Sequence, residues 1–405
     1  MVFPLIYSTV NFDEIVVSIK VFFVSTYPPG LLLKYLKTFM KVICTQENLK
    51  AGLVIVGRII SSSNTLPILN NLLLKTENGT LKISSTNLEI AIITNTRCKT
   101  EEEGAVTVIS KTFSDLINSL PNQNIILEGK ENELFIETDN HHNKIKTLPP
   151  EEFPIIPSVE NGTTLVLNSQ DLKQAVDQVF FAASTNQTQP EISGVLFAWD
   201  DKGLRIVATD RYRLAEKKMV LAQKPPSSQE VIVPQRTIAE LSRIIGNQKG
   251  NVEMVFSQNQ CSINFNETQI ISRLVDGQYP DYQQIIPTSF STNLATEKTS
   301  LINALRTVSV FSQNNNSVKA QILPVKQQLV LTAESSDLGK SQVELAAKAE
   351  GGEVSLILNY HYLLDALSSI DSKNVIIKTI DDSSPCLLVP EETNDYTYLV
   401  MPIKS

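Results

Sequence analysis

The run Ala208-Thr209-Asp210-Arg211-Tyr212-Arg213-Leu214 gathers the residues best able to do acid–base chemistry, with Asp210 as a general acid or base and Arg213 at hand to hold its charge. A carboxylate three residues before a guanidinium is more often a structural ion pair, and that reading is preferred here. The pair Asp381-Asp382 could hold a metal, but Ser383-Ser384-Pro385 follows it and a solvated turn is the simpler account. His141-His142 comes after Asp139-Asn140 and reads as a hairpin tip rather than a ligand pair. With His361 as the only other histidine, multi-histidine metal and catalytic centres are excluded. Cys44, Cys98, Cys261 and Cys386 form no C-x-x-C pair and are too few to staple the chain, so they read as reduced, mostly buried thiols of a cytosolic protein. Gly-rich phosphate loops, H-E-x-x-H and G-x-S-x-G are missing from the sequence. No catalytic residue, metal or cofactor is expected.

The elements that must position any site form a repeat. Leu49, Gly52, Leu53 and Val56, then Leu172, Ala175, Val176 and Val179, then Leu301, Ala304, Leu305 and Val308 carry the spacing of a helix with one apolar face. Their first members stand 123 and 129 residues apart. A second helix family, Phe113, Leu116, Ile117 and Leu120, then Ile238, Leu241 and Ile245, then Tyr360, Leu363, Leu364 and Leu367, recurs at 125 and 122 residues. Each member follows an apolar strand and a candidate cap: Val106-Thr107-Val108-Ile109-Ser110, Val231-Ile232-Val233-Pro234 and Leu356-Ile357-Leu358-Asn359. Strand patterns such as Leu81-Lys82-Ile83, Leu204-Arg205-Ile206-Val207 and Leu329-Val330-Leu331 lie between, with Glu77-Asn78-Gly79 and Asp201-Lys202-Gly203 as hairpin turns.

A chain of 405 residues with 42% hydrophobic content can bury two to four cores. The repeat and the links Thr147 to Pro154 and Leu274 to Pro280 give three copies of one α+β domain, residues 40–158, 159–287 and 288–405. Residues 1–39 form an atypical N-terminal extension. Its apolar run Ile15 to Val24 is interrupted by Lys20 short of membrane-spanning length, and Asp13 and Glu14 precede it where a signal peptide would be basic. The extension reads as an added tail or an over-extended start.

Thirty-five Lys plus Arg against 43 Asp plus Glu, net −8, argue against tight binding of nucleic acid over the whole surface. The helices nevertheless carry Lys50, Arg58, Lys111, Lys173, Arg236, Arg243, Lys298 and Arg306. Taken one at a time these fit a solvated face. Set around a curve by a threefold repeat, they would combine into a weakly basic lining that touches phosphates without reading bases.

Two stretches carry a specific resemblance: Ala208 to Ala215, and Leu274-Val275-Asp276-Gly277-Gln278-Tyr279-Pro280-Asp281-Tyr282. With Thr65-Leu66-Pro67-Ile68-Leu69 and the terminal Tyr398-Leu399-Val400-Met401-Pro402-Ile403-Lys404, the chain from Met40 onward closely resembles the bacterial DNA polymerase III beta subunit, or beta sliding clamp, family. The resemblance implies three repeated DNA-clamp domains, each with two helices and antiparallel sheets, in a head-to-tail homodimeric ring with helices inside. It implies a cytoplasmic, non-enzymatic processivity factor that encircles duplex DNA without sequence preference and tethers the DNA polymerase III catalytic subunit. The clamp loader, other polymerases and mismatch-repair proteins would dock through a peptide pocket.

The pocket positions implied are Ile192, Thr209, Arg211, Tyr212, Arg213, Leu214, Pro280, Ile285, Asn359, Tyr362, Leu399, Val400, Met401 and Pro402. Of the helix cations, Lys50, Arg58, Lys111, Lys173, Arg236, Arg243 and Arg306 are the expected DNA-facing set, and Lys111 and Arg236 match or neighbour basic positions of the family. The chain departs from the family where Arg211-Tyr212 replaces a small residue followed by His, where Gln284 replaces an Arg, and at Ser383 and the polar run Gln313 to Ser317. Ser63 stands where a family arginine often contacts DNA. The rival readings are a β-rich interaction scaffold that keeps the pocket without closing a ring and, more distantly, a metabolic enzyme using Asp210.

Overall fold

The computed structural model describes residues 40–60, 66–130, 132–159, 161–186, 188–312 and 316–403. The extension 1–39, together with Ser63, Thr65, Gln313 to Asn315 and Lys404, lies outside the described residues. Two compact units divide between Ile156 and Pro157.

In the first unit, β1 (Met40–Thr45) buries Met40, Val42 and Cys44 on one face. The Thr45 hydroxyl then accepts the Asn48 N–H and caps α1 (Gln46–Val56). Leu49, Gly52, Leu53 and Val56 form the buried face of α1, as the spacing predicts. Gly52 is required there, because a Cβ would stand 2.7 Å from the Thr96 hydroxyl on the strand beneath. The strands β2 (Asn71–Glu77), β3 (Thr80–Thr86), β4 (Ile90–Arg97), β5 (Lys99–Glu102) and β6 (Ala105–Ile109) follow, then α2 (Ser110–Ser119), β7 (Asn124–Lys130), β8 (Glu133–Glu137) and β9 (His142–Lys146). One antiparallel sheet runs β5-β1-β7-β8-β9. In the other, β2 lies between β6 and β3, and β3 pairs with β4. Asn78 and Gly79 both take positive φ, 50° and 75°, the tight hairpin signalled by that dipeptide. His141 lies at the β8–β9 turn with its ring against Thr138, while the exposed His142 opens β9.

The second unit repeats this order. It holds β10 (Thr163–Asn168), α3 (Ser169–Asp177), β11 (Gly194–Asp200), β12 (Gly203–Thr209), β13 (Arg213–Met219), β14 (Gln229–Pro234), α4 (Gln235–Ile245), β15 (Asn251–Phe256), β16 (Gln260–Phe265) and β17 (Thr268–Arg273). A third round gives β18 (Thr292–Glu297), α5 (Lys298–Ser309), β19 (Ser317–Leu323), β20 (Gln328–Ser335), β21 (Gly339–Ala346), β22 (Lys348–Gly351), β23 (Val354–Asn359), α6 (Tyr360–Ser369), β24 (Asn374–Thr379), β25 (Cys386–Pro390) and β26 (Tyr396–Val400). The pairing β1–β7 recurs as β10–β15 and β18–β24, and β2–β6 recurs as β11–β14 and β19–β23.

Two details differ from expectation. The second round has no counterpart of β5 or β22, because Pro225-Pro226 removes two ladder donors from the segment before β14. Among the three candidate caps only Asn359 acts, accepting from the N–H groups of His361 and Tyr362. Ser110 already lies inside α2, Ile109 holds the extended cap position, and Pro234 has no side-chain acceptor to offer.

Candidate peptide-docking face

The site grows from one ladder. Strand β13 pairs antiparallel with β26, Arg213 opposite Val400, Leu214 opposite Leu399 and so on to Lys217 opposite Tyr396. This joins the sheets of the second and third rounds into one, ordered β14-β11-β12-β13-β26-β25-β24-β18-β22. Because side chains alternate along a strand, the implied pocket residues divide between two faces.

On one face Leu214 and Leu399 are buried with Leu196, Val207, Ile232 and Leu387. The link after β17 crosses this layer and plants Tyr279 and Tyr282 in it. The Tyr282 hydroxyl donates to Glu216 Oε1 at 2.8 Å, which satisfies a carboxylate that is otherwise buried in the sheet. Ile286, Phe290 and Met401 pack at the margin. Met401 N–H donates to the Tyr212 carbonyl at 2.8 Å, so the chain beyond β26 runs beside the β12–β13 turn. Tyr212 in that turn is 64% exposed and Met401 and Pro402 are half-buried, while Pro280 and Ile285 in the link after β17 are also exposed. Leu214 and Leu399 are themselves fully buried, so what this region offers to solvent is Tyr212, Pro280 and Ile285 with the half-buried Met401 and Pro402.

On the other face Arg213 is nearly enclosed. Its Nε donates to Asp210 at 2.9 Å, its two terminal nitrogens reach Asp365 on α6 at 2.6 Å and the Phe181 carbonyl at 3.0 Å. The guanidinium also lies over the rings of Tyr362, at 4.4 Å, and Phe181, at 5.5 Å. Burial opposes its charge, but Tyr398 and the carboxylates of Asp365 and Asp210 outweigh it and raise its pKa. Asp210 is used up in the turn: Oδ1 accepts the N–H groups of Tyr212 and Arg213 while Oδ2 holds the guanidinium. The general acid–base reading of Asp210 finds no support in this arrangement.

Of the remaining implied positions, Ile192 is buried in a single helical turn and Thr209 donates its hydroxyl to the Arg213 carbonyl. Asn359 is spent on its cap, and Val400 is fully buried on the Arg213 face. The structure therefore sets Leu214, Leu399 and Met401 on one side, with Tyr212 bonded to Met401 through its carbonyl, and Arg213, Tyr362 and Val400 on the other. Asp365 was missed, although Tyr362 and Asp365 stand one helical turn apart and so share a face. Arg211 takes φ +79° at the first central residue of the two-residue turn closed by Asp210 and Arg213, a place that favours glycine. A cleft of about 660 Å³ lies farther along the apolar layer, lined by Leu196, Ile232, Val275, Gly277 and Tyr279, and none of the implied pocket residues lines it. Asp381 accepts from Ser383 and Ser384, which hold its pKa near 2 in the expected turn.

The helix cations are unequal. Lys50, Arg58 and Lys111 are exposed in the first unit, and Arg236 and Arg306 in the second. Lys173 is bound to Asp177, Arg243 to Glu240 at 2.6 Å, and Lys298 to the Ile370 carbonyl at 2.7 Å. Among the described residues no helix is long and apolar enough to cross a membrane.

A threefold antiparallel repeat with two helices per round defines a clamp-type architecture, and known proteins agree. The DNA polymerase III beta subunit N-terminal, central and C-terminal domains match residues 40–157, 166–281 and 283–404. The beta sliding clamp of Synechococcus elongatus is 30% identical over 372 residues, covering 90% of this chain and 99% of its own. The DNA polymerase III beta subunit of Thermotoga maritima superposes with a TM-score of 0.84 at 25% identity, covering 90% of this chain and 100% of that one. The sliding clamp of Bartonella birtlesii, solved bound to griselimycin, gives 0.85 at 28% identity, covering 91% and 100%. The chain belongs to the DNA polymerase III beta subunit family, the beta sliding clamps. This is a family of processivity factors rather than catalysts, and its members bind DNA and polymerase.

Two neighbouring arginines should behave oppositely. Arg213→Ala leaves three acceptors without their donor and should cost about 2–4 kcal/mol, discounted for the half-exposed Asp365. Arg211→Gly relieves the left-handed backbone and should leave stability equal or higher by up to about 1 kcal/mol. Urea unfolding of both variants checks the contrast. Burial raises the pKa of Tyr279, Tyr282, Tyr396 and Tyr398 above that of an unfolded tyrosine. Above pH of about 10 the unfolded chain releases protons that the fold retains, so stability should fall, approaching about 1.4 kcal/mol per pH unit for each tyrosine. Absorbance of tyrosinate, followed with pH, should show these four ionising only with unfolding.

Proposed function

We propose that two copies of this chain close head to tail into a ring around duplex DNA and tether the replicative polymerase there. A clamp loader would open the ring. The observation that carries the reading is the threefold order of strand, helix, sheet and second helix, in a member of the sliding-clamp family. The domain boundaries 158/159 and 287/288, the homodimer and the cytoplasmic setting belong to the same reading. Once the ring is closed, each polymerase rebinding event becomes effectively intramolecular. Exposed Lys50, Arg58, Lys111, Arg236 and Arg306 would then touch phosphates in a salt-dependent, sequence-independent way, with Lys173 and Arg243 contributing less while bound to their own carboxylates.

Polymerase, loader and mismatch-repair peptides would dock on Tyr212, Leu214, Pro280, Ile285, Leu399 and Met401. An anchor side chain entering there would contact adaptable thioether and aromatic surface. Ile192, Thr209, Arg211, Arg213, Asn359, Tyr362, Val400 and Pro402 would frame it.

Loader-dependent retention tests the ring: the protein should stay on nicked circular DNA and run off the same DNA after linearisation. Equal loss from both would sink the clamp reading in favour of a scaffold without closure. For the docking face, Met401→Ala should weaken binding of a polymerase C-terminal peptide about 5–30-fold by fluorescence anisotropy; unchanged affinity would move the peptide site elsewhere.

A further inference from the structure

The first unit places two thiols side by side across a strand ladder. Strands β1 and β5 run antiparallel with Val42 opposite Thr100 and Ile43 opposite Lys99, where the ladder ends; the same register carried one residue further brings Cys44 to Cys98, which directly precedes β5. Both thiols face the same way. Cys44 shares its side of β1 with the buried Val42, and Cys98 Sγ lies 3.5 Å from the Thr100 hydroxyl two residues on. Residues directly opposite in an antiparallel pair have Cα atoms about 4.5–5.5 Å apart, within the span a disulfide bridges. After burial, the Cys98 thiol is the neighbour that pushes the Cys44 pKa up, which agrees with contact between them. Cys261 faces Phe256 and Ser272, and Cys386 faces Val400, so neither has a thiol across its ladder.

We propose that Cys44 and Cys98 form an oxidation site at which a peroxide closes a reversible cross-strand disulfide. Cys98 is partly exposed and reacts first: its sulfur attacks one peroxide oxygen, the O–O bond breaks, and sulfenic acid and water form. The Cys44 sulfur then displaces the hydroxyl from Cys98 as a second water, so two thiols and one hydrogen peroxide give one disulfide and two waters. A dithiol reductant reverses it. The position gives the bond a structural effect. Cys98 is the residue at which the chain leaves β4 and enters β5, passing from one sheet of the unit to the other. The short edge strand β5 would be fastened to β1 at that crossing.

The full-length protein is titrated with hydrogen peroxide, alkylated under denaturing conditions and mapped by mass spectrometry without reduction. The expected product lacks two alkylatable thiols and two hydrogens, and contains one peptide pair joined through Cys44 and Cys98 that dithiothreitol separates. Hydrogen exchange in β5 should slow at least several-fold in that product. In Cys44→Ser, Cys98 should instead accumulate as sulfenic acid trapped by dimedone. Oxidation of Cys98 to sulfinic acid with Cys44 still alkylatable, a Cys98-linked dimer, or no peroxide-dependent change in the native chain would each overturn the proposal.

Discussion

The rungs joining β13 to β26 govern the second unit. Once Leu214 stands opposite Leu399, alternation forces Arg213 opposite Val400, and no side chain changes face without a slip of the whole strand. The leucine face accepts the linker tyrosines. The arginine face accepts α6, and a guanidinium suits that place because its planar fork meets Asp210, Asp365 and the Phe181 carbonyl in different directions while its flat surface stacks on Tyr362. Lysine offers no such plane. Arg213 is thus a strut tying strand to helix, and by holding the turn it decides where Tyr212 and Met401 come to the surface.

Local neutralisation sets the character of the helices. Lys173 and Asp177 stand four residues apart on α3, and Glu240 and Arg243 three apart on α4, spacings that bring side chains together on one helix face. A cation so held projects a weaker field than a bare one. In a protein of net charge −8, each unit keeps only a few exposed helix cations, and its positive character there is shallow. Such a surface fits a ring that must hold DNA without gripping it, since the proposed tethering comes from closure and not from contact energy.

The repeat was legible because apolar residues at helical spacing recur at nearly constant intervals, and every residue of the sets begun by Leu49, Leu172 and Leu301 is buried. Asn78-Gly79 and Asn359 carried their own geometry in their side chains. Pairing between strands nearly two hundred residues apart left no local trace, so the fourteen implied pocket positions could be written as one set although the ladder splits them between faces. Glu216 shows the same limit. An acid in a strand reads as solvent-facing until Tyr282, from a linker of different pattern, proves to be its partner.

The turn at Arg211 shows how a residue with a side chain is held where the backbone favours glycine. A two-residue turn with positive φ at its first central position is best served by a residue without a Cβ. Here the strain is absorbed by neighbours: the Thr209 hydroxyl accepts the Arg211 N–H, Asp210 accepts the next two, and the Thr209 hydroxyl in turn donates to the Arg213 carbonyl. The backbone path is over-determined by these bonds, so the side chains at 211 and 212 are free to vary while Arg213 stays turned inward. What the turn displays outward is a guanidinium and a phenol, both exposed. In the proposed docking face the turn's two central residues thus carry the displayed chemistry, and the ladder behind them carries the frame.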